Sequence, residues 1–103
     1  MDLTLEPEQF EKTQKIFTKA MVESVMIKLV ESGLEGRQLE EATASVAFSI
    51  ASLIDDTSGI EADGIDVKPY LTFRVGDDEI IHCGENAYTY EFVRGALKDL
   101  FDV

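Results

Sequence analysis

Residues 7–32 read PEQFEKTQKIFTKAMVESVMIKLVES. The stretch has the spacing of one long helix. Pro7 suits the first helical position, because the N–H it lacks would have no partner there. Glu6 and Glu8 sit at the positive end of the helix dipole. Gly33 follows as a stop, since it takes the left-handed conformation cheaply. Inside the helix the apolar residues change direction. Phe10, Thr13, Phe17, Ala20 and Met21 keep a helical spacing, with Lys12, Lys15 and Lys19 on the other side. Farther on the apolar set is Val22, Val25, Met26, Leu29 and Val30, and Ser24, Lys28 and Glu31 take the direction that was apolar before. A straight helix on a single core keeps one stripe. This one therefore bends near Met21, or its halves face two bodies. Length favours two bodies: the helix spans about 39 Å, and a globule of this chain length is only about 33 Å across. The expected assembly is a homodimer built on this helix. Val22, Val25, Met26 and Leu29 would lie at or near its interface, with Phe48 of the second helix.

The second helix is expected from Arg37 to Ile54, with Gly36 near its start. Leu39, Ala42, Thr43, Val46, Ile50, Leu53 and Ile54 form its apolar stripe. From Ala42 to Ile54 it carries no charge, and Phe48 stands among Ala44, Ser45, Ala51 and Ser52 on the opposite side. An uncharged helix belongs in the centre of a fold, and this one is too short and too rich in serine for a bilayer span. Residues 55–66 read as a loop punctuated by Gly59 and Gly64. Two strands follow, residues 70–75 and 79–83, joined through Gly76-Asp77-Asp78 as a hairpin. Pro69 sits before the first of them, where its missing donor does least harm. A last helix is expected from Asn86, as N-cap, to Phe101, with Phe92, Val93, Ala96, Leu97 and Leu100 inward. The fold class is α+β, helix-dominated, in the order ααββα.

The chain has 103 residues, enough for one domain over 1–103. Lys+Arg is 9 against Asp+Glu 21, a net charge of −12. That argues against a binder of nucleic acid, which needs a basic footprint, and against an anionic membrane surface. One Cys and one His exclude a disulfide framework and a Cys/His zinc cluster within one chain. The start, Met1-Asp2-Leu3-Thr4, has no basic-then-apolar signal segment, so a cytoplasmic location is expected.

His82 and Cys83 suggest a thiol–imidazole pair, but neighbours on a strand point to opposite faces. Cys83 is expected in a small apolar role and His82 toward water. The carboxylates of residues 55–66 do not fit a calcium loop. With Gly64 sixth, Gly59 would stand first and Tyr70 twelfth, and both fail. No phosphate-binding glycine motif is present. Asn86, Tyr88 and Tyr90 would make a base-stacking platform only on a basic protein. No cofactor is expected.

The charge distribution is the strongest remaining signal. Between Arg37 and Lys68 there is no base, while Glu40, Glu41, Asp55, Asp56, Glu61, Asp63 and Asp66 fall in that interval. Solubility is the ordinary reading. The sharper one is an acidic patch that meets a basic protein partner. The expected function is thus a small acidic, non-enzymatic interaction module, an adaptor or regulator, working as a homodimer. The alternatives are an acidic inhibitor (an immunity protein or a mimic of nucleic acid), a small secretion-type chaperone, and an enzyme or divalent-metal domain using the carboxylates of residues 55–66.

Overall fold

The long helix forms, and it is unbroken. The computed structural model describes residues 1–101. In chain order it contains β1 (Asp2–Leu5), α1 (Pro7–Glu31), α2 (Gly36–Ile54), β2 (Ile60–Ala62), β3 (Ile65–Val67), β4 (Phe73–Arg74), β5 (Glu79–His82) and α3 (Thr89–Phe101). The class is α+β with helices dominant, and helix, helix, strands, helix follow in the expected order. α1 stops as its sequence predicts. Gly33 takes a φ of 99°, and the N–H of Leu34 returns to the carbonyl of Leu29 at 3.1 Å, closing the last turn.

Three strands lie outside the ααββα pattern. β1 pairs in parallel with β5, which pairs antiparallel with β4, giving the sheet order β1-β5-β4. A parallel partner far along the chain leaves no local signal, so the alternation of Leu3 and Leu5 is easily passed over. β2 and β3 make a separate antiparallel hairpin inside the stretch read as a loop. Its turn is Asp63-Gly64, both left-handed at φ 53° and 76°. That pair is the usual signature of a two-residue hairpin turn. β4 and β5 are shorter than expected, and Asn86 is exposed and outside α3.

The two halves of α1 do face different bodies, but both bodies belong to the same chain. Phe10 enters a cluster with Ile81 and Ala87 beneath the sheet, with its ring 5.1 Å from Phe73. Val22 enters a second cluster with Ala47, Ala51, Val93 and Ala96, where the three helices meet. Val22 is therefore core, not dimer interface. Phe48 also leans on that cluster, its ring 4.6 Å from Tyr90, so it too faces its own chain. The buried residues of α1 are Phe10, Gln14, Thr18 and Val22, one every fourth position. Phe17 and Ala20, expected on the apolar stripe, lie at the surface. The molecule is elongated, 44 × 35 × 21 Å, with a radius of gyration of 15.3 Å where about 13 Å is usual at this length.

Because Val22 fills a site shared by three helices, Val22→Ala should cost roughly 2 kcal/mol in urea unfolding. Ile16→Ala, on the same helix but 73% exposed, should cost well under half of that. Equal losses at the two positions would contradict a core centred on Val22.

Candidate functional site

The central polar arrangement is built on the N-terminus of α3, where N–H groups lack partners within the helix. Asp55, the residue after α2, is 4% exposed. Its two carboxylate oxygens accept the N–H groups of Thr89 and Tyr90, both at 2.9 Å. The end of α2 aims it there: Asp56 turns left-handed at φ 60°, and the N–H of Thr57 bonds the Ser52 carbonyl at 3.0 Å. Gln14 approaches from α1. With its amide oxygen toward α3, that oxygen accepts from the N–H of Tyr88 at 3.0 Å, the N–H of Thr89 at 2.9 Å and the Thr89 hydroxyl at 3.1 Å. Oxygen belongs there because every facing group is a donor. The N–H of Glu91 bonds the Tyr88 carbonyl at 3.0 Å. Asp55 and Gln14 thus do together what Asn86 is expected to do alone.

This breaks up the acidic set. Asp55 is a buried helix cap and cannot meet a partner. Asp56 is half-buried beside it. Glu61, Asp63 and Asp66 are exposed on the β2–β3 hairpin, where Asp66 lies 3.3 Å from Lys68. Glu40 and Glu41 stand near the other end of α2, about 20 Å from Asp55 along the helix, and Glu41 pairs with Arg37 at 3.2 Å. The seven carboxylates do not make one exposed patch, since Asp55 is buried and Glu40 and Glu41 stand at the far end of α2. Among the described residues no three of His, Cys, Asp and Glu converge as metal ligands.

His82 and Cys83 also part. The His82 ring lies 2.6 Å from the Tyr70 hydroxyl. The Cys83 thiol donates to the Glu85 carbonyl at 3.0 Å. His82 is half-buried rather than fully wet.

Two surface features remain. The first is a shallow apolar cleft of about 310 Å³ between α1 and α2, lined by Val25, Leu29 and Val46 with Ser24 and Lys28. Val25 and Leu29 are half-buried, as is Met26, while Ile27, Val30 and Val46 are 44%, 51% and 40% exposed. The second is a cavity of about 480 Å³ where the first turns of α1 meet the β5–α3 connection. Pro7, Phe10, Glu11 and Gln14 enter it from one face of α1, opposite Cys83, Glu85, Tyr88, Glu91 and Phe92. The Glu85 carboxylate, by hydrogen bonding first and by its charge second, raises the Tyr88 phenol above its ordinary value. The sequence pointed to Tyr88 but not to the glutamates around it.

No protein-family model, no curated protein and no solved structure matches the chain. No helix among the described residues is long and apolar enough to cross a membrane.

Removing the Asp55 carboxylate takes the acceptor from the Tyr90 N–H and one of two acceptors from the Thr89 N–H, and an unsatisfied donor costs about 1–3 kcal/mol. Asp55→Ala should therefore lower stability by about 2 kcal/mol in urea unfolding. Asp63→Asn, exposed on the hairpin, should change it by less than about 0.5 kcal/mol. A silent Asp55→Ala would remove the structural role of this carboxylate.

Proposed function

We propose that the chain is a non-enzymatic protein–protein interaction module, an adaptor or regulator, that works as a homodimer. The observation that carries this reading is the uncovered end of the α1–α2 pair. No residue of α1 beyond Val22 is buried. α3 has 13 residues against 25 in α1, so it covers roughly half the length. The ion pair of Lys19 with Asp99, at 3.7 Å, ties the last turns of α3 to the middle of α1. Past that level α1 and α2 are left as two helices carrying Val25, Met26, Leu29, Ile27, Val30 and Val46.

Two helices cannot bury apolar residues on both of their open sides. A second copy of the same face completes the layer by an isologous contact, in which the Val25–Leu29–Val46 cleft meets its symmetry mate. This retains Val25, Met26 and Leu29 of the expected interface and replaces Val22 and Phe48 with Val46. Such a contact resembles a core cut in half.

Light scattering at micromolar concentration should report twice the 11.5 kDa chain mass. The Val25→Glu/Leu29→Glu variant should report the monomer while keeping its helical circular dichroism. A monomer for the unmodified chain at every concentration overturns the reading.

A further inference from the structure

We infer that the cavity between α1 and the β5–α3 connection receives an arginine side chain presented by a partner protein. This names the ligand chemistry of an interaction module, and so rests on that reading of the chain.

The walls select the ligand. Phe10 is buried and Phe92 half-buried, so the depth of the cavity is apolar and aromatic. Glu11, Glu85 and Glu91 are exposed around it, and no lining residue is basic. Anions are excluded by charge, and a purely apolar ligand would bring three carboxylates toward a dry contact without compensation. A group with a long apolar stem and a cationic head satisfies both demands. The guanidinium adds a flat face that stacks on Phe or Tyr, and a fork of donors that spans two carboxylate oxygens.

A second feature points to the same ligand independently of the acids. Gln14 is 3% exposed and lines this cavity. Its oxygen is taken up by three donors at the start of α3. Its NH2 group then points away from those three donors. A carbonyl oxygen arriving with the ligand can accept from a Gln14 N–H that faces the cavity. The peptide carbonyl beside an arginine is such a group. The neighbouring groove has the opposite character. It is lined by Lys15, Lys19 and Lys98 against Asp99, which pairs with Lys19, and it shares Glu91 and Phe92 with the cavity. The preference for a cation is thus local to one position and not a consequence of the net charge alone.

The probe is the capped tripeptide acetyl-Gly-Arg-Gly-amide, titrated into the ¹⁵N-labelled full chain at low ionic strength. The norleucine tripeptide is the neutral control. We expect saturable shifts of the Gln14 side-chain NH2 and of the Tyr88 and Glu91 amides. The norleucine peptide should produce none. The Glu11→Gln/Glu91→Gln variant, altered only at exposed positions, should keep its spectrum and bind about fivefold more weakly. Shifts that never saturate, that norleucine reproduces, or that the variant leaves unchanged overturn the proposal. Light scattering on the same samples tests the dimer separately: a monomer that still binds the arginine peptide would sink the dimer alone.

Discussion

The Asp55 carboxylate, held at the N-terminus of α3, is the contact on which the arrangement of the helices depends. It joins residues more than thirty positions apart in sequence. Both its oxygens are used, and Gln14 supplies the remaining acceptor. A charged acceptor at a helix N-terminus gains from the hydrogen bonds and from the helix dipole together. Burial would make the same carboxylate costly if either donor were lost. The interaction therefore fixes where α3 starts and on which side of α1 and α2 it lies.

That placement has consequences at both ends of α1. Near the cap, Gln14 and Thr18 form a polar seam between two small apolar clusters, and the Thr18 hydroxyl is satisfied by the Gln14 carbonyl at 2.7 Å. The start of α3 is pinned beside the first turns of α1, which creates the cavity lined by Phe10, Phe92 and the three glutamates. Far from the cap, α3 ends before α1 and α2 do, and the cleft at Val25, Leu29 and Val46 is left open. The helix-layer cluster is rich in alanine, so the backbones approach closely but little apolar area is buried there. A chain with so thin a core gains more than most from a second copy covering its open end. The proposed dimer contact and the proposed arginine seat thus lie at opposite ends of α1, and one constraint accounts for both.

Local features were legible in the sequence. Pro7 and Gly33 marked the ends of α1, and the change in stripe direction marked a helix with two neighbours; the uncharged run of α2 overstated its burial, since only Thr43, Ala47 and Ala51 are buried and Val46 and Leu53 are exposed. Non-local features were not. The parallel pairing of β1 with β5 has no local trace. Gln14 and Thr18 carry no sign of burial in the sequence, because polar residues are buried only where partners exist, and their partners lie in α3 or along the same helix. Asp55 looked like one member of an acidic run, since nothing nearby in sequence reveals that it caps a distant helix. The β2–β3 hairpin is a different case. Asp63-Gly64 carried the turn signal, but together with Gly59 it reads equally as the punctuation of a loop.

Hydrogen exchange at the amides of Tyr88, Thr89 and Tyr90 tests the central constraint most directly. First-turn amides of an ordinary helix exchange readily, because no carbonyl of the helix accepts them. Held by Asp55 and Gln14, these three should exchange only through opening as large as that which frees Val93 and Ala96, with the same dependence on denaturant. Rapid exchange of the three while Val93 and Ala96 stay protected would mean that α3 is placed by its apolar face alone, and would contradict the organising role of Asp55.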